Sequence, residues 1–313
     1  MVIETMAAKK THFGPFQTRT VERIRRGVIR TFDRLESWSY LSASDRSEFR
    51  RFQRLFLESL SGIDAKVQAG RIHPLDLRGF PQVSAFPGYH INAGVFLGSF
   101  DPFQMSHLAM ALRFLAAPSS RADVLFVVPE GSYDNHKPDR SEYRFRFEVL
   151  SLQLREIFSP LVVPIDIGEG AGTLEIVERL INLFPNAKIG LTHLLGSDSL
   201  PVAAALMPED LEAWHACAAR QGVSFEYQMF ILARPSRPPS KRVVEAIRSL
   251  GVPVIVDRAP VATPSSSDLR RRAVFTILFP SAAVLRRVEV LFRYSMNRRW
   301  EDEPEAPRPE YEI

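Results

Sequence analysis

The sequence predicts an α/β fold: a parallel sheet flanked by helices, with an N-terminal helical extension. Three observations predict it. From Asn92 onward, continuous apolar runs alternate with amphipathic stretches, the pattern of strands buried on both faces and joined by crossover helices. Up to about Gly88, apolar residues instead recur three to four apart, which is helical spacing. Where the first apolar run meets the first amphipathic stretch lies Gly98 to His107, GSFDPFQMSH, which reads as a strand, a turn and a helix start.

Taken in order, Thr20 to Phe32 places Val21, Ile24, Val28 and Phe32 on one face, with arginines between them. A second helix starts near Ser44 or Asp45 and runs through Phe49, Phe52, Leu55, Phe56 and Leu60, with Arg50, Arg51 and Arg54 interleaved. Glu22, Asp33, Glu36, Asp45, Glu48 and Glu58 dilute that positive charge. The pair therefore reads as helices packing apolar stripes on the main domain, rather than as a nucleic-acid or membrane surface. Arg71 to Tyr89, with Pro74, Gly79, Pro81, Pro87 and Gly88, reads as a linker. Strands follow at Val95–Leu97, Val124–Val128, Leu161–Ile165, Lys188–Leu191, Gln228–Ala233 and Pro253–Val256. Helices are expected from Leu108 to Leu112, through Tyr143, Phe147, Leu150 and Leu154, through Leu174, Ile176, Val177 and Leu180, and from Lys241 to Leu250. This divides the chain into an extension and linker (1–90), an α/β domain (91–296) and an acidic, proline-rich tail (297–313) that reads as disordered.

Bulk properties narrow the classes. At 313 residues, 45% hydrophobic and 24% charged, the chain has an ordinary globular composition. A single cysteine, Cys217, excludes an intramolecular disulfide and a multi-cysteine zinc site, and suggests a reducing, cytoplasmic setting. No apolar run approaches membrane-spanning length, and MVIETMAAKKTHFGPF lacks the apolar core of a secretion signal. A formal charge of +4 with pI ≈ 9.3 favours anionic ligands but is too small to argue for nucleic acid.

Five stretches carry the chemistry. They are GSFDPFQMSHL; Asn135-His136-Lys137 with Arg146 in the helix beyond; Leu195-Gly196-Ser197-Asp198; Leu232-Ala233-Arg234-Pro235; and Pro264-Ser265-Ser266-Ser267-Asp268-Leu269-Arg270. A glycine turn entering a helix can hold phosphates against backbone amides and a helix N-terminus. In this order the stretches resemble the nicotinamide/nicotinate mononucleotide adenylyltransferases of the wider nucleotidyltransferase superfamily. Their signatures are a GxFxPxHxGH-type motif, a G-x-D turn and a late ISSTxxR motif. The resemblance covers roughly Asn92 to Tyr294 and leaves the N-terminal helices unexplained.

The resemblance implies a Rossmann-like domain that joins ATP to a pyridine mononucleotide, giving a dinucleotide and pyrophosphate. In that scheme Gly98, Ser99 and Phe100 approach the triphosphate, and a bulkier residue at 98 would block it. His107 donates to the α-phosphate, and Ser265, Ser266, Ser267 and Arg270 hold the β- and γ-phosphates. Gly196 and Asp198 receive the ribose, and Lys137 and Arg146 receive the mononucleotide phosphate. Mg²⁺ is held mainly by phosphates rather than by a protein cage. The partners are ATP and a phosphorylated small molecule, with a homo-oligomer left open.

The sequence departs from the pattern in three places, one of them Ser106, which stands where the motif usually has Gly or Met. Gln104 stands where the family has His or Thr, leaving an uncharged donor for the triphosphate. Gly168 to Leu174 lacks the aromatic residue that family members place before the Thr-Leu pair, so Trp214 becomes a candidate cover for the base. Two other readings stay open: a nucleotidyltransferase for another phosphorylated acceptor, and a nucleotide-binding regulatory protein whose catalysis has decayed.

Overall fold

Six strands, all parallel, form one sheet in the order β3-β2-β1-β4-β5-β6. The structure, a computed structural model, describes residues 14–37, 39, 41–73, 90–131, 141–233, 238–258 and 278–287. The strands are β1 (His90–Gly98), β2 (Val124–Pro129), β3 (Val162–Pro164), β4 (Lys188–Gly196), β5 (Ser224–Leu232) and β6 (Val254–Asp257). Every residue of β2 is buried, as expected for a strand covered on both faces.

The crossover helices divide between the two faces. Helices α3 (Met105–Ala116) and α4 (Tyr143–Leu154) pack on one; α5 (Thr173–Asn182), α6 (Leu200–Arg220) and α7 (Lys241–Ser249) pack on the other. β1 and β4 lie side by side at the centre, yet their following helices leave to opposite faces. This is the topological switch point, beside which ligands bind in open sheets of this kind.

The N-terminal helices α1 (Gly14–Glu36) and α2 (Ala43–Gln68) form a hairpin stacked on the α3/α4 face. α2 begins where its cap is good: Ser42 Oγ accepts from the Asp45 amide at 3.1 Å, and Asp45 Oδ2 accepts from the Ser42 amide at 3.2 Å. The hairpin shares its core with the sheet domain. Phe32 packs on Phe56 (ring centroids 6.0 Å apart), Phe56 on Phe158 (6.4 Å), and Phe158 on Phe279 (4.9 Å). Phe279 stands just before the short helix α8 (Ala282–Arg286).

A buried lysine locks the hairpin in place. Lys66 Nζ donates to the carbonyls of Leu115 (2.6 Å), Ala117 (2.9 Å) and Ser120 (2.8 Å), capping the C-terminal end of α3. Burial draws its pKa down to about 8.

The structure adds an element that the residue pattern hides. Residues 200–220 carry no clear amphipathic period and contain Pro208, yet they form the 21-residue helix α6. Pro201 in the first turn suits a helix start. β4 also extends five residues past Leu191, to Gly196. Among the described residues, no helix is long and apolar enough to cross a membrane.

Candidate functional site

β1 delivers Gly98 and β4 delivers Gly196 to the same edge. Their pairing runs as far as Phe96 opposite Leu194, so the two glycines, two residues further on in each strand, emerge side by side. From Gly98 the chain passes Ser99, turns at Phe100 with a φ of +41°, and enters α3 after Gln104. A positive φ at phenylalanine costs about 1–2 kcal/mol, so the surroundings must hold it. They do so through rings: the Phe100 ring stands edge-on to Phe96 (5.1 Å), Phe103 (5.3 Å) and the His107 imidazole (5.3 Å). Gly98 leaves room for this ring, because a Cβ there would lie 3.2 Å from it. The absence of a side chain at 98 thus serves packing inside the turn.

His107 lies in the first turn of α3, half-buried among Phe96, Phe100 and Phe103. Its Nδ1 accepts the Gln104 main-chain N–H at 3.1 Å. A nitrogen that accepts an amide proton carries none itself, so the neutral ring holds its proton on Nε2. The helix start thereby fixes the tautomer with the proton on Nε2.

Three expected ligands lie inside the protein instead. Gln104 is 3% exposed, with Oε1 accepting from Ser106 Oγ at 3.2 Å, so its side chain supports the helix start. Arg146 is 1% exposed, and each of its three guanidinium nitrogens donates to a main-chain carbonyl: Nε to Ser141 (2.9 Å), Nη2 to Glu130 (2.8 Å) and Nη1 to Ser99. Trp214 is wholly buried, donates Nε1–H to the Leu174 carbonyl (3.1 Å) and packs on Tyr227 (4.9 Å), so it covers no base.

Beyond β4, Asp198 stands half-buried in the turn between β4 and α6. Ser197 N–H donates to the Leu232 carbonyl (3.1 Å) and Ser199 N–H to that of Gly196 (3.1 Å), which fixes the turn. Gly98, Ser99, Phe100, His107, Gly196 and Asp198 are therefore gathered at one edge. Lys137, Arg234, Ser265, Ser266, Ser267 and Arg270 lie outside the described residues.

The glycine-rich loop after β3 is packed against the strands. A Cβ at Gly168 would fall 1.9 Å from the Pro129 carbonyl oxygen, and one at Gly131 would fall 2.3 Å from that of Gly168. These glycines allow backbone to touch backbone. The exposed rim of the loop is tied down by Arg144, which pairs with Asp166 (2.7 Å) and Glu169. Tyr143 donates its hydroxyl to Asp166 (2.8 Å), and burial with that contact pushes its pKa upward. Alternating aromatic residues and arginines at 143–146 hint at none of this, because which residue faces inward depends on how α4 docks. Among the described residues, no three His, Cys, Asp or Glu side chains are grouped to hold a metal ion.

No known family's sequence model matches the chain, and no curated protein does. Among solved structures, Plasmodium falciparum nicotinic acid mononucleotide adenylyltransferase complexed with APC aligns with 68% of this chain and 98% of its own, at 14% identity and a TM-score of 0.44. The same enzyme complexed with NaAD aligns over the same shares, at 15% identity and 0.43.

Proposed function

We propose that the chain is a nucleotidyltransferase that moves the adenylyl group of ATP onto a phosphorylated small molecule, a pyridine mononucleotide in the first instance. The observation that carries this reading is the presentation of His107. It lies at the start of α3, beside the glycine turn of β1, with Nδ1 occupied by an amide and the proton therefore on Nε2. In the reaction, an oxygen of the acceptor phosphate attacks the α-phosphorus of ATP, and the bond to the bridging oxygen of pyrophosphate breaks. Negative charge grows on the α-phosphoryl oxygens and on the leaving group. A fixed N–H donor aimed at that charge is the contribution a protein makes best, because the chemistry needs positioning more than covalent help.

In this reading Asp198 receives a ribose hydroxyl, and Ser265, Ser266, Ser267 and Arg270 take the departing pyrophosphate. The described donors at the edge are amides, hydroxyls and an imidazole N–H, which suit phosphate oxygens, and among the described residues no three His, Cys, Asp or Glu side chains are grouped to hold a cation. ATP therefore arrives as its Mg²⁺ complex, which supplies charge neutralisation when bound.

One observation favours a different acceptor within the same chemistry. Trp214 is buried and residues 168–172 carry no aromatic ring, so neither supplies a face that stacks on a pyridine. Pyrophosphate release, measured with ATP against nicotinate mononucleotide, nicotinamide mononucleotide and a panel of non-pyridine phosphate esters, decides the matter. Turnover with the two pyridine mononucleotides above all others is expected, with weak discrimination between them. Turnover with another ester alone replaces the acceptor. ATP binding without turnover on any acceptor removes the enzymatic reading.

A further inference from the structure

Arg146 draws together three main-chain segments that meet at the carboxyl edge of the sheet. Ser99 follows β1, Glu130 follows β2, and Ser141 precedes α4; each gives its carbonyl to a different nitrogen of one guanidinium. The guanidinium also stands 5.8 Å from the centre of the Tyr143 ring. This assembly has a directional consequence. The peptide joining Ser99 to Phe100 is trans, so its C=O and N–H point in opposite directions. With the Ser99 carbonyl held by Arg146, the Phe100 N–H is directed away from the buried guanidinium. The same peptide leads into the left-handed turn at Phe100, whose ring lies against His107.

We propose that Arg146 is a positioning residue: it sets the Ser99–Phe100 peptide so that the Phe100 N–H meets a phosphate oxygen of ATP, and it does not bind the acceptor phosphate. The inference rests on the nucleotidyltransferase reading above. Arginine suits the task because its planar fork offers donors in fixed, divergent directions. A lysine at 146 supplies the same charge from a single atom, which cannot reach three carbonyls spread around a plane. A direct ligand of the acceptor phosphate would tolerate that exchange far better.

The test compares Arg146→Lys and Arg146→Met with wild type, using calorimetric ATP binding, the KM of ATP and of the acceptor, and hydrogen exchange across residues 98–104. Both variants should lose about tenfold or more in ATP affinity, the equivalent of one lost hydrogen bond to a charged group. The acceptor KM should stay within about twofold in both, a spread smaller than one such bond produces, and the Phe100 amide should exchange faster. A raised acceptor KM with ATP affinity kept, or folded variants with unchanged parameters, overturns the proposal. Should both variants fail to fold, the wild-type Phe100 amide resonance decides: it should shift on addition of ATP, and a resonance that does not move overturns the proposal. ATP binding by wild type without transfer to any acceptor defeats the nucleotidyltransferase reading alone. No ATP binding by wild type defeats both.

Discussion

His107 is held as the Nε2–H tautomer by one main-chain amide, which separates two roles a histidine can play here. A proton donor to developing charge acts mainly in the transition state, whereas a ligand of bound ATP acts in the ground state as well. His107→Ala should therefore lower turnover by about 100-fold, as for loss of one preorganised donor, and weaken ATP binding far less. Steady-state kinetics together with calorimetric ATP titration checks this; an equal loss in both quantities, or an unchanged rate, removes the role. The residue types of the β1 turn made a strand, turn and helix start legible, and they motivate the proposed phosphate site, because glycine, a helix start and histidine each have a local reason to be there. Residue types alone did not reveal which side chains are buried. Gln104, Arg146 and Trp214 are all suited to binding, and all three are buried: Gln104 bonds to its near neighbour Ser106, while Arg146 and Trp214 are turned inward by contacts with segments distant in sequence. A side chain's direction is decided by those partners, which local spacing does not encode.

At the scale of single elements, periodicity made most of the sheet legible, because a buried parallel strand must be apolar throughout. It failed at α6, whose inner face carries polar groups: Asp210 is buried on it, and Trp214 of the same helix packs on Tyr227. Beneath them His193 Nδ1 lies 2.9 Å from the Tyr227 hydroxyl. This interface carries two opposed titrations. Burial draws the His193 pKa from 6.5 down to about 4, so the unfolded chain takes up the proton first as pH falls. Stability from this group is lost between about pH 6.5 and 4, by up to about 3 kcal/mol. Asp210 is raised from 3.8 to about 6 by burial and by Glu175 and Glu209, so the folded state takes up that proton first. Its cost at neutral pH is relieved as pH falls from about 6 to 4. His193→Gln should flatten the acid loss of stability, and Asp210→Asn should steepen it. Denaturant unfolding at pH 7, 5 and 4 measures both slopes, and parallel slopes for the two variants and wild type would show that neither group titrates as described.

For the molecule as a whole, the N-terminal hairpin belongs to the core of the sheet domain. The chain pattern showed two amphipathic helices but not what they cover, since an apolar stripe does not name its partner. They cover α3 and the Phe158–Phe279 contact, and Phe56 lies at 0% exposure among four other phenylalanines. Phe56→Ala should cost about 3–5 kcal/mol, read from the unfolding midpoint. Deleting residues 1–73 should leave an aggregating product rather than a soluble sheet domain, because it bares the α3 face; a monomeric, cooperatively folding fragment would show the hairpin to be dispensable. The strand order carries one more consequence, for the order of events during synthesis. β1 pairs with β4 from His90 opposite Lys188, 98 positions later in the chain. At a ribosomal rate of about 5–20 residues per second, roughly 5–20 s separate the emergence of the two strands. During that interval β1 can acquire β2 on one side while its other edge stays open at the centre of the future sheet. The hairpin, already made, can meanwhile settle on α3 as soon as α3 appears. The nascent protein thus assembles one flank early, and the edge that gathers Gly98 and Gly196 comes into being only when β4 closes the gap.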